Sequence, residues 1–353
     1  FTEAGVELRP MPGAFVLDDV GAPRTAGGRP FTVFSRFHRR WRELDLRPVH
    51  GVPGALRVPA GLEPGALPPL AAFGLEPELT DPMPSGERAG RARMAAFLRD
   101  DLGAYAERHN RLAGGTSELS PYLHFGCVSP RELVAGAREQ GGEGREAFVR
   151  QVAWRDFYGH VLLHHPGNAH HPFQRRFEAL ETVEDQSLYD AWREGRTGVP
   201  VVDAAMRQLL ARGWMHNCAR LIAGSFLTKS LHLDYRLGEA HFMRYLLCGD
   251  AAQNNGNWQW VASVGVDPAP AFRRVLNPVR QHERFDPDGE YVRRWVPELR
   301  DVPPGRLAEP WTMTELDQRM AGCVIGVDYP SPVVDHRRER RRGLERYRAV
   351  PAL

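Results

Sequence analysis

Between Val199 and Trp260 the apolar positions fall at helical spacing, but amide and aromatic side chains stand where a plain helix would carry leucine. Val201, Ala205, Met206, Leu209 and Leu210 recur three and four residues apart, which predicts an amphipathic helix with one face in a core. Gly213 ends it, and a second helix can start at Trp214. On that helix Asn217, Arg220 and Leu221 share a face, so an amide and a guanidinium look the same way. In GDAAQNNGNWQW, residues 249–260, Asn254 and Trp258 also share a face. Trp260 lies about 200° round from Trp258 and serves a different contact.

The helical period runs through nearly all of the chain from Arg91 onward, and β-type alternation is absent, so the body is expected to be all-α. Ser129 to Glu132, with Pro130 between them, reads as a capping box, and Thr312 with Glu315 repeats the pattern. In AFVRQVAWRDFYGHVLLHH, residues 147–165, one stripe carries Phe148, Gln151, Arg155 and Tyr158, with Trp154 beside it. A core stripe takes aromatics, but an unpaired amide or guanidinium is costly to bury, so this face is read as a binding face. Residues 1–90 are punctuated by glycine and proline and predict no long regular element. Phe31, Phe34, Phe37 and Trp41 nevertheless call for burial, which favours an extended linker wrapping another domain over a disordered tail.

Composition changes this picture little. With 353 residues, 42% hydrophobic and 25% charged, the chain can bury a large core. No apolar run approaches the roughly 18–20 residues of a membrane span, and the N-terminus carries no signal-peptide pattern. The four cysteines, Cys127, Cys218, Cys248 and Cys323, never form CxxC, so neither a metal site nor a disulfide framework is indicated, and a reducing cytoplasm fits. The formal charge is only +2, and all basic residues but Lys229 are arginine, so any nucleic-acid footprint has to be a local patch. The basic run HRRERRRGLERYR at 336–348 reads as a solvated terminal helix. GGTSELSPYLHFG at 114–126 combines two glycines, the hydroxyls of Thr116, Ser117 and Ser120, and a helix start at Pro121, a combination able to hold a phosphate.

Taken together, GWMHN at 213–217, Arg220, GDAAQNNGNWQW and TSELS at 116–120 resemble the DNA photolyase and cryptochrome family, most closely class I cyclobutane pyrimidine dimer photolyases. The resemblance covers roughly residues 30–350. It implies an all-α FAD-binding and DNA-binding domain over 91–353, an interdomain linker over 21–90, and in residues 1–20 the remnant of an α/β antenna domain. As cofactor it implies FAD, active in its reduced form, and it leaves the antenna chromophore unassigned. Around FAD it places Tyr105, Thr116, Ser117, Glu118, Leu119, Ser120, Phe148, Arg155, Asn217, Arg220, Cys248, Gly249, Asp250 and Asn254. Asn254 would face the flavin N5, Asp250 would accept from its N3–H, and Arg220 would offset the charge of the reduced ring. Around flipped-out bases it places Gln151, Trp154, Arg155, Met215, Asn217, Cys218 and Trp260. Electron transfer would involve Trp258 and Tyr235, with Asn254 and Gln151 completing the catalytic set.

Four departures from the family pattern stand out, the electron relay counting as one. Gln151 stands where dimer photolyases usually carry Glu, Cys248 where an acid usually pairs with the arginine near the flavin, and Cys218 where an arginine is common at the DNA face. Of the usual tryptophan relay only Trp258 stands, Tyr235 and Thr182 occupying the other places, with Tyr189 or Trp192 as substitutes. The implied function is light-driven repair of cyclobutane pyrimidine dimers in DNA by a monomer without an obligate protein partner. A photolyase for (6-4) photoproducts is disfavoured, because Asn217 and not a second histidine follows His216. The alternative is a cryptochrome-like blue-light sensor; an inert helical scaffold would require every polar cluster to be structural.

Overall fold

The computed structural model describes all residues except 1–4, 6, 10, 52, 56, 64, 268, 269, 352 and 353. Among the described residues every regular element is helical, and one isolated β-bridge joins Ile325 to Tyr329. The central stretch opens with the helix Pro200–Arg212, begun by proline in its first turn and closed by Gly213 in the left-handed conformation at φ 63°. The chain does not turn helical again at Trp214. The next helix is Asn217–Lys229, because His216 turns its Nδ1 onto the Cys218 N–H and so becomes the N-cap. Ala251–Ala262 follows, capped by Asp250, whose Oδ1 accepts the Gln253 N–H.

Two of the sequence-read caps differ in detail. Ser129 caps Pro130–Glu139 through the Glu132 N–H, but the Glu132 carboxylate pairs with Arg91, so the box is half made. The C-terminal box is made by Thr314 and Asp317 rather than by Thr312 and Glu315, since the Thr312 hydroxyl donates to the Glu309 carbonyl.

The aromatic linker is buried, as its composition requires, and residues 14–41 strap the long helix Glu143–His164. Asp156, fully buried on that helix, accepts the N–H groups of Val16 and Leu17 at 3.0 Å and the Trp41 indole N–H at 2.9 Å. One turn on, His160 Nε2 accepts the Phe31 N–H at 3.0 Å while Nδ1 faces the Val20 carbonyl at 2.7 Å. Burial holds this imidazole at about 4, hence neutral. Within the strap, Phe34–Arg42 forms a short helix, and the Phe34 ring stacks on Trp154 with centroids 3.7 Å apart and planes within 9°.

Two hydrophobic cores result. One gathers the strap with Phe148, Val152, Phe157 and Tyr158; the other gathers Met206, Met215, Ile222, Phe226, Trp258 and Val261. The Glu143–His164 and Ala251–Ala262 helices meet across their boundary at Gly256, where a Cβ would fall inside the Tyr158 ring. Only a residue without a side chain leaves room for that ring against the helix.

Candidate functional site

The seam between the cores opens into a cavity of about 410 Å³, within the range of roughly 300–1,000 Å³ usual for small-molecule sites. Most of its wall comes from Tyr105, the turn 116–120, the Glu143–His164 helix and the stretch from Trp214 to Trp260, with Leu123 and Leu133 beside them. In the turn, Arg93 takes the carbonyls of Ser117 and Thr116 at 2.8 and 2.9 Å, and the Ser117 hydroxyl accepts the Leu119 N–H. Among the described residues, the N–H groups of Thr116, Ser117 and Glu118 have no protein partner. Glu118 is held at φ 53°, a conformation that costs a non-glycine residue free energy and that concentrates at ligand sites. Three orphaned donors beside two hydroxyls constitute an anion cradle.

On the long helix, Phe148, Gln151, Trp154, Arg155 and Tyr158 all line the cavity. Arg155 is steered by the strap: its Nε donates to the Ala14 carbonyl, its guanidinium lies over Phe15, and Asp250 stands 3.9 Å away. Opposite, Trp260 is locked by its indole N–H on Asp267 at 3.2 Å and by the Arg274 guanidinium 4.3 Å from its ring. Each tryptophan therefore has one side covered by protein, Trp154 by Phe34 and Trp260 by Arg274, and both line the cavity.

Tyr105, Thr116, Ser117, Glu118, Leu119, Ser120, Met215, Asn217, Arg220 and Cys248 complete the expected lining. Asn254 and Trp258 line a smaller cleft of about 60 Å³ that shares Asn217, Arg220, Cys248 and Gln253 with the main cavity. Asn254 Nδ2 donates to the Glu239 carbonyl at 2.8 Å, which fixes the amide in place.

Four expected residues stand elsewhere. Cys218 is only 7% exposed, with its Sγ on Asn110 and its thiol pushed by burial up to about 11, so it is a core residue and not part of a DNA-facing surface. Asp250 does not line the cavity; its Oδ1 is spent on the helix cap. Gly249 lies behind it, its N–H on the Leu246 carbonyl. Tyr235 is buried, its phenol held up to about 12, with Arg236 over its ring. The ring neighbours of Trp258 are Phe242 at 4.9 Å and Trp192 at 6.2 Å.

Conversely, Trp214, Gln253 and Asn257 line the cavity without having been singled out in the sequence. Gln253, Asn257 and Trp260 lie at i, i+4 and i+7 of one helix, so the period could have found them. Arg220 does reach Cys248: Nη2 lies 3.3 Å from the sulfur, while Nε donates to the Met215 carbonyl. Arg220 thus has a partner at the place of the missing acid, but an uncharged one.

Residues 148–349 match the family described as the FAD binding domain of DNA photolyase, which is more than half of the chain. A deoxyribodipyrimidine photo-lyase of Streptomyces griseus is 46% identical over 328 residues, covering 91% of this chain and 69% of that protein. This chain belongs to the DNA photolyase family. Another relative with the same name, from Escherichia coli, is 39% identical over 342 residues, covering 94% of this chain and 70% of its own length. Among solved structures, a bacterial class III photolyase from Agrobacterium tumefaciens superposes with a TM-score of 0.87 at 34% identity, covering 96% of this chain and 72% of that one. A cryptochrome from Synechocystis reaches the same TM-score at 28% identity, covering 99% and 74%.

Proposed function

We propose that this photolyase-family protein binds FAD in the seam cavity and uses light to split cyclobutane pyrimidine dimers in DNA. The observation that carries the reading is that the turn 116–118, Arg220, Trp154 and Trp260 all line one cavity. Reduced FAD, when bound, supplies the photoexcited electron. The chain's own residues do the rest by position. The turn at 116–118 holds phosphate oxygens with backbone N–H groups. Arg220 supplies positive charge to the cavity. Trp154 and Trp260 return the stacking that bases lose on leaving a duplex, about 1–3 kcal/mol per base. Gln151 offers an amide that can donate and accept hydrogen bonds but cannot give up a proton.

The test is to illuminate the reduced holoprotein with a dimer-containing oligonucleotide and follow recovery of thymine absorbance. Recovery supports repair. A second reading, a blue-light sensor, is favoured by the match to the Synechocystis cryptochrome. Tight dimer binding without recovery would establish it. Trp260→Ala is expected to weaken dimer binding about tenfold to a hundredfold, following the stacking energy, and to leave flavin content unchanged. Flavin loss in this variant would place the flavin, not the base, against Trp260.

For electron supply from outside, Trp258, Trp192 and Tyr189 form a chain of rings spaced 6.2 Å at each step, with Trp192 fully buried. Trp192→Phe is therefore expected to slow photoreduction of the bound flavin, and Tyr235→Phe to slow it less. Flash photolysis of both variants checks this; the opposite ranking would return the route to Tyr235.

A further inference from the structure

We propose that Cys248 sets the reduction potential of the group bound in the seam cavity, by giving Arg220 an uncharged partner and so leaving its full positive charge on that group. The inference rests on the reading of the cavity as a flavin site. Three charged side chains line the cavity: Glu118, Arg155 and Arg220. Glu118 faces Arg212 at 3.9 Å, and Arg155 faces Asp250 at 3.9 Å, so each has a counter-charge. Arg220 has none. Its Nε is taken by the Met215 carbonyl at 2.9 Å and its Nη2 by the Cys248 sulfur at 3.3 Å, and no carboxylate comes within ion-pair distance among the described residues.

A thiol in that position satisfies the guanidinium geometrically without cancelling its charge. A carboxylate in the same place would form a charge-assisted pair and remove most of the field that the cavity feels. Cys248 is 9% exposed and lines both the main cavity and the side cleft beside Asn254, so the pair sits where little water screens it. An electron added to a group in this cavity is stabilised by the uncompensated charge. The cavity thus favours the reduced form of its ligand more than a cavity with a neutral Arg–carboxylate pair would.

The experiment is a redox titration of the FAD-loaded protein against Cys248→Asp, Cys248→Ser, Arg220→Gln and the double variant Cys248→Asp/Arg220→Gln. Cys248→Asp, similar in size, is expected to lower the potential by at least a tenfold change in the one-electron equilibrium, about 59 mV. Cys248→Ser keeps an uncharged partner and should retain the wild-type potential. Arg220→Gln should shift the potential in the same direction as Cys248→Asp, and adding Cys248→Asp to it should lower it further, since the carboxylate then stands beside the cavity without a counter-charge. If Cys248→Asp does not fold, the sign of the Arg220→Gln shift decides. An unchanged potential in Cys248→Asp, or a Cys248→Ser shift as large as that of Cys248→Asp, would overturn the inference in favour of packing. Wild-type protein that takes up no FAD would overturn it together with the reading of the cavity, and is distinguished by the absence of flavin colour before any titration.

Discussion

Asp156→Ala is expected to destabilise the protein by roughly 3–5 kcal/mol, because it orphans three buried donors at once. The N–H groups of Val16 and Leu17 and the Trp41 indole N–H all end on this one carboxylate. The loss should reach the site as well. Trp154 and Arg155 are the two residues before Asp156, and both are positioned by the same strap, through Phe34 and the Ala14 carbonyl. Urea denaturation measures the stability, and flavin retention measures the site. A loss below about 1 kcal/mol would mean that water replaces the carboxylate, and that the strap is not what fixes the wall.

This residue also gives the effect a pH dependence. Desolvation raises the Asp156 carboxyl to about 6, against the three hydrogen bonds that favour its charge. The native state therefore holds this proton more tightly than the unfolded chain, whose carboxyl titrates near ~3.9. The contribution is fully present below that value and is lost as pH rises through about 6. The stability gap between wild type and Asp156→Ala should accordingly be wider near the lower end of this window than at neutral pH. A gap that widens as pH rises would show that the hydrogen bonds outweigh desolvation.

The second large effect is expected at Gly256. Gly256→Val drives a branched side chain into the Tyr158 ring, which is 4% exposed and lies between two helices that carry opposite walls of the cavity. Overpacking of this kind costs about 1–3 kcal/mol when the site can relax, and here relaxation means separating the helices. Because Trp154 is on one and Trp260 on the other, the variant should lose dimer binding even at temperatures where it stays folded. Circular dichroism together with DNA binding separates the two effects. Wild-type binding in a folded Gly256→Val protein would show that the helix crossing does not set the distance between the tryptophans.

The helical faces were legible in the chain because they are local. Phe148, Gln151, Arg155 and Tyr158 lie at spacings that a 3.6-residue turn brings to one side, and they do line one cavity. Asn217 with Arg220, and Asn254 with Trp258, follow the same rule. Less legible were side chains with two possible uses. Asp250 caps its helix through Oδ1, with Oδ2 3.9 Å from Arg155. His216 could belong to the helix or begin it, and it begins it. Neither choice is set by periodicity; both are made by which backbone N–H is left unpaired at a helix start.

The sequence by itself determined an all-helical body, the elements that carry the chemistry and, through its motifs, the family to which the chain belongs. The tertiary structure alone decided that residues 14–41 strap the Glu143–His164 helix, that Phe34 and Arg274 each cover one side of a tryptophan, that Cys218 is core, and that Cys248 meets Arg220. The division has a physical cause. A helical face is fixed by dihedral angles over a few residues, whereas Val16 and Asp156 meet across 140 positions, and such a meeting depends on how two cores close on each other.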